Sequence, residues 1–243
     1  MKKTNFWIIA AVLCIVSACS DNTHTYQLSG KLENCNECTV YLMEMQDAGV
    51  KALDTVVADK KGNFKAKEVL NEESIFILQA KNDYIMLCPK AKEKIKINGN
   101  YTDLASTYSV QGSDESSKLK LLNDKQIMTR VALKNMSEQL AMMNIDDGPQ
   151  IRKSIAEKYK LLRQTQREFL INYINTNEGS LTTLVALYRN MENSPLIDPI
   201  KDFDIYVKVL KGLEKKYPDN KNTENLKRLV ADIQSAKQNN PAN

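Results

Sequence analysis

The sequence of 243 residues contains one histidine, His24, and one tryptophan, Trp7. A single histidine leaves no evident general base for a Ser-His-Asp triad, and no G-x-S-x-G nucleophile elbow is present. There are only eight glycines, and none of them forms a Gly-rich phosphate-binding loop. These absences argue against common hydrolase and nucleotide-binding sites. We therefore expect no cofactor and no catalytic residue.

Charge of one sign is also scarce. The chain has 34 Lys and Arg against 30 Asp and Glu, and the two signs are interspersed. Removal of residues 1–18 would take away Lys2 and Lys3 and leave 32 basic side chains. A nucleic-acid-binding protein usually concentrates basic residues on one face, so no nucleic-acid partner is expected.

The longest apolar run, Phe6 to Val16, is too short to span a bilayer as a helix. It follows two lysines and ends in Val-Ser-Ala-Cys, with Cys19 last. This pattern resembles a bacterial lipobox, which predicts a signal peptide over residues 1–18, cleavage before Cys19 and a diacylglycerol on its sulfur. The alternative is an ordinary secretory signal in which Cys19 is incidental. Acyl chains would anchor the protein without a transmembrane helix.

Residues 19–25 are predicted to be a lipidated tether. Ser20 follows the cysteine, where an aspartate would resemble an inner-membrane retention signal. We therefore expect the protein in the cell envelope, at the outer membrane and facing the periplasm in preference to the cell surface.

Residues 26–112 predict an antiparallel β-sandwich or open barrel, because short apolar runs alternate with turn signals every eight to twelve residues. Asp59-Lys60-Lys61-Gly62 and Lys81-Asn82-Asp83 are predicted hairpin turns. The runs on both sides of the second turn are apolar on both faces, which predicts strands at the centre of a sheet.

Residues 113–238 predict a helical domain, and the whole chain is therefore of the α+β class. Apolar residues recur every three or four positions in 114–143 and in 151–176, which is typical of two amphipathic helices. The short connector NIDDGPQ between them predicts an antiparallel αα-hairpin. Shorter helices are expected over 180–190, 199–216 and 223–238, the last capped by Asn222 or Thr223. Residues 239–243 predict a disordered tail.

The order of these segments resembles the N-terminal region of TlpA-like thiol:disulfide interchange lipoproteins. The resemblance is carried by the lipobox and the segments YQLSGKLEN, TVYLMEM, DTVVADKKGNFKAK, NTNEGSLTTLVALYRN and YVKVLKGLEKKYPDN. In that family a β-rich domain of unknown function and a helical segment precede a thioredoxin domain. Here the chain stops at Asn243, and Trp7 lies in the signal peptide, so the W-C-x-x-C motif has no counterpart. The resemblance implies an accessory region without the enzyme.

Cys35 and Cys38 form a C-x-x-C pair between two predicted strands. A redox-active pair needs a helix N-terminus to stabilise the thiolate, and Thr39-Val40-Tyr41 favours extended backbone instead. We therefore predict a structural disulfide between paired strands. Two alternatives stay open: thiol:disulfide exchange, and a metal site completed by Cys88 and His24.

Other candidates have simpler explanations. Cys88 is expected to be a core thiol and His24 to be solvated. Asp146 and Asp147 lack the alternating oxygen ligands of a calcium loop and are expected in a helix–helix turn. Met128, Met136, Met142 and Met143 could form an adaptable binding groove, but such methionines more often pack between paired helices. Tyr188 and Tyr206 likewise need no special role.

The sequence thus predicts a non-enzymatic, lipid-anchored envelope protein that acts as a binding or scaffold module. A protein partner in the envelope is one hypothesis, and a separately encoded thioredoxin-like protein is a specific form of it. Thiol:disulfide exchange through Cys35 and Cys38 is the enzymatic alternative. Capture of a small apolar ligand between the helices is a further one.

Overall fold

The computed structural model describes residues 24–46, 49–143 and 148–239, and these adopt an α+β fold. The predicted fold class is confirmed, since strands occupy the N-terminal part and helices follow. Residues 1–18, Cys19 and most of the tether lie outside the described residues, as do 240–243. In the described part no helix is both long and apolar enough to cross a bilayer.

The eight strands of the N-terminal part are interrupted by one short helix. In chain order these elements are Thr25–Glu33 (β1), Thr39–Gln46 (β2), Gly49–Val57 (β3), Asn63–Val69 (β4), Phe76–Ala80 (β5), Asp83–Leu87 (β6), Lys94–Asn100 (β7), the helix Leu104–Thr107 (α1) and Ser109–Gln111 (β8). The C-terminal part contains Asp114–Ala141 (α2), Gly148–Thr176 (α3), Thr182–Leu187 (α4), the short strands Asn190–Met191 (β9) and Ser194–Pro195 (β10), Phe203–Lys216 (α5) and Lys221–Asn239 (α6).

Two four-stranded sheets form a sandwich. Sheet A has the order β4-β1-β7-β8 and sheet B the order β3-β2-β5-β6. Their facing side chains share one apolar core, in which Tyr26 of β1 lies against Phe76 of β5 with ring centroids 5.6 Å apart. β1 and β7 run parallel, so sheet A is mixed, whereas only antiparallel pairing was expected.

The prediction of a hairpin at Asp59–Gly62 is wrong. β3 pairs with β2 in sheet B, whereas β4 pairs with β1 in sheet A, so this turn crosses between the sheets. The turn itself forms: the Asp59 carboxylate accepts hydrogen bonds from the backbone N–H of Lys61 and Asn63 at 2.8 and 2.9 Å. The hydrogen bonds within a turn are the same whichever strands the turn connects.

The turn at Lys81 and Asn82 does form a hairpin, since Ala80 pairs with Asp83 in the β5–β6 ladder. The prediction that both strands lie at the centre of a sheet is wrong for β6, which is an edge strand. Its second apolar face is explained by helices α1 and α2, which pack against it. Covering an edge with a helix also protects it from pairing with another chain.

The two long helices form the predicted antiparallel hairpin. The ammonium group of Lys125, in the first half of α2, lies 5.3 Å from the Phe169 ring centroid in the second half of α3. Leu133 and Tyr159, nearer the connection, line one cavity. Helix α6 is capped by Asn220, whose side chain accepts from the Asn222 N–H at 2.9 Å. The predicted caps, Asn222 and Thr223, therefore lie within the first turn.

The helical core extends into sheet B and its connections. It contains Ile75 and Cys88, which flank β5 and β6, together with Leu119 and Leu122 of α2. A second set of contacts joins the segment before β5 to the start of α6. There the Asn220 side chain donates to the Glu73 carbonyl oxygen at 2.7 Å. The β-sandwich and the helices are thus packed together through a shared apolar surface.

Candidate functional site

The structure joins Cys35 and Cys38 by a disulfide with their Cα atoms 5.4 Å apart. The expectation that the two residues face each other on paired strands is wrong, because β1 belongs to sheet A and β2 to sheet B. The bond instead spans the chain segment that crosses from one sheet to the other. Asn34 and Glu37 adopt positive φ angles of 54° and 52° within this segment.

This disulfide packs against the second crossing between the sheets, at Asp59–Gly62. The Leu32 N–H donates to the Gly62 carbonyl oxygen at 2.9 Å, and the Ala58 N–H donates to the Cys38 carbonyl oxygen at 2.9 Å. Cys35 is 9% exposed and lies in the sandwich core. The two crossings thus form one corner of the sandwich.

The surroundings of Cys35 and Cys38 offer little that would stabilise a thiolate. Strand β2 begins at Thr39, directly after the pair, so within the described residues no helix begins at either cysteine to stabilise its thiolate. This agrees with the extended backbone expected there. Whether the bond is only structural stays a prediction.

Cys88 and His24 do not join this pair. Cys88 is 1% exposed in the helical core, whereas Cys35 belongs to the sandwich core. His24 is exposed, and its carbonyl oxygen accepts from the Leu70 N–H at 2.7 Å. No group of three His, Cys, Asp or Glu side chains suited to a metal ion occurs in the part of the chain that the structure describes. Asp146 and Asp147 lie outside that part.

Cys88 is enclosed beside a buried carboxylate. Burial, with a smaller contribution from the negative charge of Glu115, raises the pKa of the Cys88 thiol far above its usual value. Its backbone N–H donates to the Ser116 hydroxyl at 3.1 Å. A thiol that stays protonated is a poor nucleophile and a poor metal ligand. Cys88 is therefore an inert packing residue.

An apolar groove with a cavity volume of about 650 Å³ lies between sheet B, α2 and α4. Such a volume falls in the range of small-molecule sites. Its apolar lining includes Met45, Ile75, Met86, Leu133, Leu184 and Met191. We refer to this feature as the groove.

Polar side chains lie on one part of the groove. They include Tyr84 of β6, Gln126 and Arg130 of α2, and Arg189 just after α4. Arg130 is exposed and Arg189 is half-buried. An apolar cavity with a few convergent polar groups is the arrangement found in most binding sites for small molecules.

The structure places the predicted methionines and tyrosines differently from one another. Met128 and Met142 are 62% and 81% exposed, so the expectation of core packing is wrong for them. Met136 lines a second cavity between α2 and α3, and Tyr188 lines the groove. Tyr206 is buried and donates to the Ile197 carbonyl oxygen.

Most residues that line the groove were not predicted from the sequence. Five of them come from four separate segments: Met45 from β2, Met86 from β6, Arg130 from α2, and Arg189 with Met191 from the segment after α4. The pairs of elements that meet here are set by the tertiary fold, so no local spacing signals them. The single hint was the apolar character of both faces of β6, which supplies Met86.

Comparison with known proteins bears on the β part of the chain. Residues 26–119 match the family model described as a domain of unknown function (DUF4369). The match covers the sandwich and continues into the first turns of α2, up to Leu119. No curated protein matches the sequence. The DUF4369 region thus supplies Met45, Ile75, Tyr84 and Met86, one wall of the groove.

Proposed function

We propose that the protein is a lipid-anchored, non-catalytic binding module of the bacterial cell envelope, and that the groove takes an apolar ligand. The observation that carries the binding role is the groove itself, a cavity of about 650 Å³ whose apolar lining includes three Met, two Leu and one Ile side chain. Methionine is unbranched and polarizable, so a surface rich in it adapts to varied apolar shapes.

The envelope location is supported by the sequence before Cys19. Lys2 and Lys3, the apolar run and Val-Ser-Ala-Cys together fit a lipoprotein signal, with the acyl chains on Cys19 holding the protein at the outer membrane, facing the periplasm. A Cys19→Ser variant should move from the membrane fraction to the soluble periplasmic fraction. Retention of that variant in the membrane fraction would contradict lipid anchoring at this residue.

The resemblance to TlpA-like lipoproteins supports an accessory role for the same module. On this interpretation the β-rich region and the helices bind a partner, and a separate thioredoxin-like protein supplies any redox chemistry. Thiol exchange by Cys35 and Cys38 themselves is the alternative, although the absence of a helix after Cys38 within the described fold disfavours it.

The binding proposal is tested by a matched pair of variants. Met45 lines the groove and is 40% exposed, so Met45→Glu places a charge at its surface without burying it. Met142→Glu makes the same change at a residue that is 81% exposed and does not line the groove. Both should fold as the native protein does, by circular dichroism.

We expect an environment-sensitive apolar fluorophore to bind the native protein and Met142→Glu equally, and Met45→Glu at least tenfold more weakly. Solvent extraction of native protein, followed by mass spectrometry, should recover apolar small molecules that are depleted from Met45→Glu. Equal binding by all three proteins would overturn the assignment of the groove as the site.

A further inference from the structure

Arg189, which lines the groove, indicates a more specific class of ligand. It follows helix α4, and its Nη1 atom donates a hydrogen bond to the Gln126 side-chain oxygen on α2. Its Nη2 atom is enclosed and has no acceptor among the described residues. Leaving a guanidinium N–H without an acceptor costs free energy, so this head group has hydrogen-bonding capacity that the described fold does not use.

Arg130 brings a second positive charge to the same place. Desolvation lowers the pKa of the Arg189 guanidinium; the Tyr84 phenol acts to raise that pKa, and Arg130 lowers it further. Both arginines line the groove, so two positive charges border the same cavity. Neither arginine forms an ion pair within the described ranges.

Glu192, the carboxylate that lines the groove, does not neutralise the positive charges of Arg130 and Arg189. Glu192 accepts a hydrogen bond from the Tyr159 hydroxyl at 2.8 Å, and it forms no ion pair with either arginine within the described residues. An anionic group between Arg130 and Arg189 would turn a repulsive pair into two attractive contacts. The charge of this part of the groove therefore favours a ligand that is negative at one end.

The apolar lining continues beyond the groove. Leu133 and Glu192 line both the groove and a neighbouring cavity of about 570 Å³ between α2 and α3. That cavity is lined by Met136, Leu140 and Ile155 among others. The two cavities are therefore adjacent at Leu133, and this arrangement suits an extended hydrocarbon chain better than a compact molecule.

We propose that the groove binds a long-chain carboxylate of the fatty-acid class. Its head group lies between Arg130 and Arg189, within reach of the Tyr84 hydroxyl, and its chain runs past Leu133 toward the α2–α3 cavity. This inference rests on the binding function proposed above and specifies its ligand. Because Nη2 is enclosed, the Arg189 head group must rotate slightly to meet the carboxylate, and Gln126 remains available to hold its other side.

The test compares two probes that differ only in the head group, hexadecanoate and hexadecanol. Each displaces a fluorescent fatty acid from the full mature chain carrying Cys19→Ser, so that no attached lipid competes. Hydrogen bonds to charged groups are the stronger ones, and we expect hexadecanoate to bind at least tenfold more tightly than hexadecanol. Arg130→Gln and Arg189→Gln should each reduce that preference, whereas hexadecanol binding should stay unchanged.

Arg228→Gln is the matched control, because Arg228 is exposed on α6 and does not line the groove; it should keep the full preference. Arg130 is exposed, so its variant tests the proposal even where Arg189→Gln fails to fold. Equal affinity for the two probes would overturn the head-group assignment and leave the apolar binding function standing. Tighter binding of a two-chain phospholipid or of a peptide C-terminus would also overturn it. Binding of neither probe, with no extracted lipid, would overturn both proposals.

Discussion

Ser180, two residues before helix α4, donates a hydrogen bond to the buried carboxylate of Glu115 in the first turn of α2. Glu115 is 3% exposed and also accepts from the Lys118 ammonium at 2.8 Å. Ser180 in turn contacts the Thr182 hydroxyl, which accepts from Tyr173 of α3. One polar network therefore joins helices α2, α3 and α4.

Glu115→Gln should destabilise the protein. Burial acts to raise the pKa of Glu115, but hydrogen bonds from Lys118 and Ser180 outweigh it and hold the pKa below its usual value. Replacing a buried charged acceptor by a neutral amide should cost about 1–3 kcal/mol of unfolding free energy at pH 7. Urea denaturation measures this cost.

The pH dependence of that cost has a definite sign. A carboxyl with a depressed pKa in the folded state contributes stability above its unfolded pKa and loses it as pH falls through the folded pKa. The difference between Glu115→Gln and the native protein should therefore shrink in acid. Glu138→Gln is the control, since Glu138 is half exposed and pairs only with Lys134 at 3.7 Å; it should change stability by less than about 0.5 kcal/mol. Equal effects of the two variants would contradict a role for the buried network.

Gly62→Ala should destabilise the corner of the sandwich. Gly62 has a φ of +80°, and a Cβ there would lie 2.0 Å from the Leu32 carbonyl oxygen, which is backbone and cannot move aside. We expect a loss of about 2 kcal/mol or more in unfolding free energy. Gly49→Ala is the control: Gly49 also has positive φ, at +129°, but no described atom lies within 4 Å of its Cβ position. A similar cost for both variants would show that backbone strain alone, and not the contact with Leu32, sets the effect.

The same corner shows where prediction from sequence succeeded and where it failed. Gly62 and Asp59 correctly indicated a tight turn, because their turn chemistry is local. The partners of the flanking strands were wrongly predicted, since strand pairing depends on contacts across the whole sandwich. The parallel pairing of β1 with β7 is non-local in the same sense. The two long helices, which depend on a period of 3.6 residues within one segment, were placed more accurately.

Candidate site residues divide in the same way. Cys35 and Cys38 were identified because their spacing carries its meaning within four residues. The groove depends on Met45, Tyr84, Arg130 and Arg189, which are separated by many residues and meet only when sheet B packs on α2 and α4. Nothing in the local pattern around any one of them signals a binding surface.

Glu68 on β4 should make the protein less stable as pH rises toward neutrality. Burial, followed by the nearby Asp54 carboxylate, raises the pKa of Glu68 from 4.5 to about 7. A carboxyl with a raised folded-state pKa contributes its stability below the unfolded value, near 4.5, and loses it as pH rises through 7. Glu68→Gln removes this charge and should stabilise the protein at pH 8 by about 1 kcal/mol, since solvent screens a partly exposed group.

At pH 4 the stability of Glu68→Gln and of the native protein should converge. Asp54→Asn should give a smaller gain at pH 8, because it removes the charge of the neighbouring carboxylate but leaves the Glu68 carboxylate partly buried. Glu33→Gln, at an exposed residue of β1, is the control and should change stability by less than about 0.5 kcal/mol. Thermal unfolding from pH 4 to pH 8 measures all three variants, and a gain for Glu68→Gln that does not depend on pH would contradict the raised pKa.

The disulfide between Cys35 and Cys38 should behave as a structural bond. No helix N-terminus lies at either residue in the described fold, and Cys35 is 9% exposed, so neither thiolate is stabilised. We expect a reduction potential below about −300 mV, as is typical of structural bridges. Thiol alkylation and mass spectrometry in glutathione or dithiothreitol buffers measure it. A value between about −120 and −230 mV, the range of dedicated exchange proteins, would instead favour the thiol-exchange alternative.

Replacing both cysteines by serine further distinguishes a structural disulfide from a thiol-exchange site. Because the closed loop is short, the double variant should lose only about 2 kcal/mol of unfolding free energy. It should keep the ligand affinity of the groove, since neither cysteine lines it. Insulin reduction should be absent from the native protein and from the double variant alike. Activity that the native protein shows and the folded double variant lacks would make Cys35 and Cys38 an exchange site, and the corner of the sandwich would then be the place where this protein meets its redox partner.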